Sequence, residues 1–189
     1  MTVDLAEIAR YMRMGRTVPE GELAARVGRL RDDALKAIRP ARIWRRFPIA
    51  EDAIVSGGVR LGISGTLARH LAGCAAAYLV CATIGVGFDT LQRRAAARSG
   101  TDALIAQAVG AALIEKLMDE TEDEIRAELA AGESLVSRYS PGYGTFPLAA
   151  QRELLALLDA PRSVGVSLTD TLLMVPSKSV SAIIGVTKG

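Results

Sequence analysis

The chain has 189 residues, 50% of them hydrophobic and 23% charged, with a formal net charge of +2. That length supports one domain with a core large enough to fold unaided, and the apolar content excludes a disordered chain. Near-neutral charge argues against a dedicated nucleic-acid binder, and two cysteines, Cys74 and Cys81, are too few for a disulfide framework. The opening MTVDLAEIAR has no apolar stretch, so no secretory signal is expected. The run from Ala72 to Val86 is shorter than the roughly 20 residues that span a bilayer. A soluble cytoplasmic protein with neither membrane nor nucleic-acid partner is expected.

Leu5, Ile8, Tyr11 and Met12 predict a first helix, capped by Asp4 and stopped at Gly15. A second follows Pro19, with Leu23, Val27, Leu30, Leu35 and Ile38 on one side, and ends before Pro40. Residues 1–46 carry eleven Lys/Arg against six Asp/Glu, which reads as a solvated face or as a docking surface for an acidic partner. Ile43 to Ile49 reads as a strand. Ile54-Val55, the turn Ser56-Gly57-Gly58 and Val59 to Leu61 form a hairpin, and Ser64 caps a short helix, Gly65 to Leu71. The continuous apolar run Ala75 to Thr83 fits a buried central strand. On it Cys74 and Cys81 are expected to point to opposite faces as structural thiols.

Helices are expected at 87–97 and 101–129, the second opened by Thr101 and Asp102. Residues 112–133 hold eight Asp/Glu against two Lys/Arg, the pattern of a solvated face, although Glu115 and Asp119 share a helical face at a spacing suited to acid–base work. After Gly132 the pattern changes. Leu135 to Arg138 is short and extended, residues 139–144 are irregular, and Pro147 opens a helix from Leu148 to Leu158. Strands follow at Val164–Leu168 and Val180–Ile184, joined by Thr169 to Ser179. Strands and helices without regular βαβ alternation predict an α+β fold, with a helical segment over 1–40 and an α+β core over 41–189 in one domain.

The usual catalytic constellations are missing. His70 is the single histidine, so no metal cluster or relay can be built from histidines, and its place at a helix end suits the helix dipole. No GxxxxGK phosphate loop occurs. Gly85-Val86-Gly87 follows a strand, but Thr90 stands where a dinucleotide fingerprint has its third glycine. Gly62-Ile63-Ser64-Gly65 lacks the spacing of a nucleophile elbow.

One peptide stands out: Arg138-Tyr139-Ser140-Pro141-Gly142-Tyr143. Pro141 and Gly142 make a loop that a ligand can approach closely. Arg138 offers a planar fork for a carboxylate, while Tyr139 and Tyr143 offer faces for a ring or a cation. A small zwitterion carrying a sulfonium and an aromatic base would satisfy all three; a turn with an arginine on its rim is the plainer alternative.

Arg138 to Leu148, followed by Gln151, resembles the S-adenosylmethionine-binding peptide of the activation domain of vitamin B12-dependent methionine synthase. The run from Val164 to Ser181, with its Met174, Pro176, Ser179 and Ser181, is similar too. The resemblance is specific over roughly 133–187 and fainter upstream. It implies a twisted, mainly antiparallel sheet flanked by helices, and a free-standing form of the domain. It also implies a reactivation role: S-adenosylmethionine is presented to cobalamin carried by a partner, either a cobalamin-binding protein or a truncated methionine synthase. An electron from flavodoxin or ferredoxin then allows methylcobalamin to be restored by reductive methylation, in support of methionine biosynthesis. The methyltransferase chemistry would be shared with that partner, and positioning would be this chain's contribution.

In the family pattern the arginine, a small residue two on, and Gly-Tyr fall on Arg138, Ser140, Gly142 and Tyr143, which would line S-adenosylmethionine. The family's acidic contact near the domain start has no counterpart before Ala50, and Glu115 is the acidic contact assigned instead. Two other readings stay open. One is an interaction or scaffold module of another corrinoid-dependent methyltransferase system, docking through its basic helices. The other is an independent methyltransferase, which would need Glu115 or Asp119 as its base.

Overall fold

The computed structural model describes residues 1–15 and 17–188. In chain order the elements are α1 (Leu5–Tyr11), α2 (Gly21–Ala37), β1 (Ala41–Pro48), β2 (Ala53–Ser56), β3 (Val59–Gly62), α3 (Gly65–His70), β4 (Cys74–Thr83), α4 (Val86–Arg98) and α5 (Gly100–Ala127). They continue with β5 (Glu133–Leu135), a 3-10 turn (Leu148–Ala150), α6 (Gln151–Leu158), α7 (Ala160–Ser163), β6 (Ser167–Leu168), β7 (Met174–Val175) and β8 (Ser179–Lys188). The fold is α+β. The main sheet runs β1-β4-β8-β5 with every neighbour antiparallel, and β2-β3 and β6-β7 are separate hairpins.

The sheet is sandwiched. Alternating side chains of β4 send Tyr78, Val80 and Ala82 toward α1, α2, α4 and α5, and send Ala77, Leu79 and Cys81 toward β2-β3, α3, α6 and α7. Both faces of β4 and β8 are therefore buried, which is why β4 reads as a continuous apolar run and why Ser179 and Ser181 of β8 are buried with their apolar neighbours. Small residues bring α5 close to its neighbours: a side chain at Gly110 would run into the Phe88 ring, 2.5 Å away, and into Lys178.

Several expectations change in detail. A register shift between Cys74 and Ala76 turns Cys74 onto the same face as Cys81, so the two thiols do not oppose each other. Cys81 is buried, and desolvation pushes its thiol up to about 12. Ser99, ahead of Thr101, caps α5 by accepting from the Asp102 N–H at 3.1 Å. Only Ser167–Leu168 of the segment 164–168 forms a strand, and its partner, Met174–Val175, lies in the segment expected to be a connection.

The charge imbalance along the chain is partly consumed inside the fold, chiefly at the acidic end of α5. Arg26 binds Asp102 at 2.6 Å, Arg42 binds Glu124 at 2.6 Å, and Trp44 donates its indole N–H to Glu128 at 3.0 Å. Arg46, passing over the Tyr78 ring, joins both oxygens of Glu133 at 2.9 and 2.6 Å and so links the two edge strands of the sheet. The acidic end of α5 is thus partly a partner surface for β1 rather than a solvated face.

Hydrogen bonds from Arg46 and from the Ala130 N–H hold the Glu133 carboxyl at about 2, well below its ordinary 4.5. Because the folded value lies below the unfolded one, Glu133 stabilises the fold fully above about pH 4.5 and loses that contribution as pH falls toward about 2. Urea midpoints measured between pH 7 and pH 2 are expected to fall across this window, and to fall less steeply in Glu133→Gln. Parallel curves would assign the acid lability to other carboxylates.

Candidate functional site

The segment 133–139 runs along the outer edge of β8, where β5 pairs Glu133 with Lys188 and Leu135 with Val186. Val136 donates to the Gly185 carbonyl at 3.0 Å, and Tyr139 exchanges two hydrogen bonds with Ile183, both 2.9 Å. Between those two points the outer segment has one residue more than β8 has opposite it, a bulge that re-aims the side chains around it. Arg138 lies in this bulge and reaches the middle of α5.

Its guanidinium meets three carboxylates. Nη2 donates to Glu115 at 2.6 Å, and Nη1 donates to both Asp119 at 3.0 Å and Glu122 at 2.8 Å. Partial burial alone would lower the Arg138 pKa; the carboxylates, Glu115 foremost, outweigh it and leave the pKa raised. Glu115 and Asp119 thus both accept hydrogen bonds from Arg138.

The loop that follows is held from α3. Tyr139 donates its hydroxyl to Thr66 at 2.8 Å, and its ring lies 4.8 Å from that of His70. His70 Nε2 is 2.6 Å from the Ser137 carbonyl, so the histidine ends its helix and also anchors the approach to the loop. Thr145 and Thr66 each bond the other's backbone N–H through their hydroxyls, both at 2.9 Å. Thr145 thereby caps the first turn of α3, where Ser64 makes no side-chain cap.

Opposite this loop stands the β6-β7 hairpin with its turn, Thr169 to Val175. Its exit is fixed by Ser177, whose N–H and hydroxyl both donate to Asp89 of α4. Between the two walls lies an open cleft of about 830 Å³. Arg138, Ser140, Tyr143 and Glu115 line it, joined by Gln151, Leu172, Leu173, Met174 and Val175. Gly142 does not. At φ 94° its N–H closes the turn onto the Phe146 carbonyl at 2.9 Å, which makes it a shaping residue. Tyr143 is 66% exposed and Leu173 65%, so the mouth presents aromatic and apolar surface to solvent.

The hairpin wall and Gln151 were absent from the expected site residues. Gln151 is buried, borders the cleft, and its amide makes no hydrogen bond to a described residue. The signal for the hairpin was the run 164–181, whose residues carry little chemistry of their own, and the signal for Gln151 was its place just after the Arg138–Leu148 peptide. Among the described residues, no group of three or more His, Cys, Asp or Glu side chains is arranged to hold a metal ion, and no helix is long and apolar enough to cross a membrane.

Residues 72–188 match the family model of the vitamin B12 dependent methionine synthase activation domain. The chain belongs to that family. The match runs from the approach to β4 through β8 and takes in both walls of the cleft, while α1, α2, β1 and the β2-β3 hairpin precede it. A solved structure described as the MetH reactivation domain bound to AdoHcy aligns over 96% of this chain and 74% of that one, with a TM-score of 0.58 and 18% identity. At that identity the likeness shows the fold. No curated protein sequence matches significantly.

Gly144 is the tightest point of the activation-domain loop. It adopts φ 53°, and a Cβ there would sit 2.6 Å from the Thr66 hydroxyl and 2.7 Å from that of Tyr139. Gly144→Ala is expected to destabilise the protein by about 1–3 kcal/mol in urea unfolding. Unchanged stability would show that the Thr66–Tyr139–Thr145 cluster does not hold the loop.

Proposed function

We propose that this activation domain binds S-adenosylmethionine in the cleft and presents its sulfonium methyl to a cobalamin-bearing partner, as a reactivation subunit. The observation that carries this reading is the pairing, in one cleft, of a guanidinium with an apolar wall and an exposed tyrosine. The cleft's about 830 Å³ falls within the roughly 300–1,000 Å³ typical of small-molecule sites. The solved relative was bound to AdoHcy, the thioether that remains when the methyl has left.

Arg138 pairs with the methionyl carboxylate, while Glu115 and the exposed Asp119 supply negative charge for the ammonium and sulfonium. Leu172 to Val175 and the Tyr143 face cover the nucleoside, and the Gln151 amide, without a partner among the described residues, is at hand for a polar edge of it. Ser140 borders the ligand, and Gly142 shapes the turn around it. The methyl is transferred as the C–S bond breaks with its electron pair left on sulfur. The partner's cobalamin, once reduced by one electron from a flavodoxin or ferredoxin, would supply the nucleophile that takes up the methyl. This chain orients the methyl at an open mouth and needs no general base for that task. An independent methyltransferase fits less well, because the two carboxylates it would need as bases already hold Arg138.

Calorimetric titration tests this. S-adenosylmethionine is expected to bind the wild type, and Arg138→Ala to weaken binding by roughly 2–3 kcal/mol, some thirty-fold or more. The same change is expected to lower the melting temperature, because Arg138 ties α5 to the edge of the sheet; the comparison is made where both proteins are folded. A folded wild type that binds neither alone nor beside a corrinoid protein overturns the reading.

Docking has a candidate face. Between α2 and α4 a groove of about 380 Å³ is lined by Lys36, Arg94 and Arg98, with Asp33 as its single acid. Lys36 and Arg94 have no carboxylate partner among the described residues, whereas most cations of β1 do. This favours an acidic surface on the partner, and it gives the scaffold reading its specific support. The double change Lys36→Glu, Arg94→Glu is expected to weaken pull-down of a corrinoid partner at least ten-fold and to leave S-adenosylmethionine affinity unchanged. Partner binding that also ignores Arg138→Ala and added ligand would favour scaffolding over reactivation.

A further inference from the structure

We infer that Glu122, which does not border the cleft, is a positioning residue for the ligand's carboxylate, acting through Arg138. This rests on the S-adenosylmethionine reading above. A guanidinium has five N–H donors. Nη1 donates to Asp119 at 3.0 Å and to Glu122 at 2.8 Å, and Nη2 donates to Glu115 at 2.6 Å. Nε–H and the nearer hydrogen of Nη2 belong to the other side of the group. These lie side by side on one edge of the plane and form the fork that a carboxylate engages bidentately. Nε makes no hydrogen bond to any described residue.

The three carboxylates are not equivalent. Glu115 borders the cleft, and Asp119 is 61% exposed, so both can turn toward a ligand's positive groups. The Glu122 side chain is only 13% exposed and lies outside the cleft. It is also fixed from behind, since Arg126, one turn further along α5, donates to it at 3.1 Å. The order Arg126–Glu122–Arg138 is therefore a chain anchored on a helix. It pins the Nη1 end of the guanidinium and with it the rotation of the plane. Without Glu122, Nη1 and Nη2 could turn to follow Glu115 and Asp119, and the Nε–Nη2 edge would lose its fixed aim. A side chain held in this way loses little entropy when the ligand arrives.

The test is a double-mutant cycle read by calorimetry with S-adenosylmethionine, using the wild type, Glu122→Gln, Arg138→Ala and the double variant. Glu122→Gln keeps shape and an acceptor, and thermal melts confirm that each protein is folded. Glu122→Gln is expected to weaken binding about ten-fold in the wild-type background and to have no further effect once Arg138 is absent. As a second measurement, 5′-methylthioadenosine, which lacks the amino-acid end, is expected to bind Glu122→Gln as it binds the wild type. An unaltered affinity in Glu122→Gln overturns the inference, as does a loss that persists in the Arg138→Ala background. A wild type that fails to bind S-adenosylmethionine at all overturns the underlying reading instead.

Discussion

The antiparallel pair of β4 and β8 is the constraint on which the rest of this structure depends. Both strands are covered on both faces, so their register cannot slip without exchanging one core for the other. With that pair fixed, the outer edge of β8 becomes a rigid rail. The segment 133–139 is laid along it by hydrogen bonds to Gly185 and Ile183, and one extra residue in the segment aims Arg138 at α5. The cleft inherits its geometry from this rail: one wall follows from Arg138 onward, and the other hangs on the residues that lead into β8.

Charge is organised around the same frame. Glu115, Asp119 and Glu122 occupy one face of α5 and meet Arg138, while Glu124 and Glu128 meet Arg42 and Trp44 on β1. A single long helix thus connects the functional loop on one side with the far edge strand on the other. The surplus of acid at its end is a binding surface for the protein's own cations. What is left over is local: a guanidinium outnumbered by carboxylates at the cleft, and a cationic groove between α2 and α4.

Much of this was legible in the sequence, for physical reasons that differ by region. The central strand was readable because burial on both faces leaves a continuous apolar run between Gly73 and Gly85, and the hairpin because Ser56-Gly57-Gly58 leaves few other options. The loop was readable because Pro141, Gly142 and Gly144 cannot sit in a regular element, and because its side chains also carry a family resemblance. What stayed hidden was set by partners distant in the chain. The orientation of Cys74 depends on a bulge, and bulges leave little trace in composition. The cap on α3 comes from Thr145, some eighty residues away, and not from the adjacent Ser64. The β6-β7 hairpin is too short for periodicity to reveal. The pairing of α5 with Arg138 could not be seen, because an acidic stripe reads the same whether it faces water or an arginine.

That last ambiguity bears on how the site works. An arginine poised for a ligand carboxylate, if left alone, would be a strongly hydrated and mobile cation that must be ordered on binding. Here it is ordered in advance by carboxylates, at the risk that they compete with the ligand. The competition is resolved if the ligand is itself a zwitterion. On the reading proposed above, its carboxylate would take the Nε edge of the guanidinium, its positive groups would face Glu115 and Asp119, and Glu122 would keep Arg138 in place. Charge is then exchanged within the cluster and none is left unpaired, which is the condition for burying ions without a large desolvation cost. A simple anion would have to displace carboxylates and leave them uncompensated, and a simple cation would leave the guanidinium edge idle. On that reading the arrangement would select an amino-acid end bearing both signs, and the apolar hairpin wall would select what is attached to it.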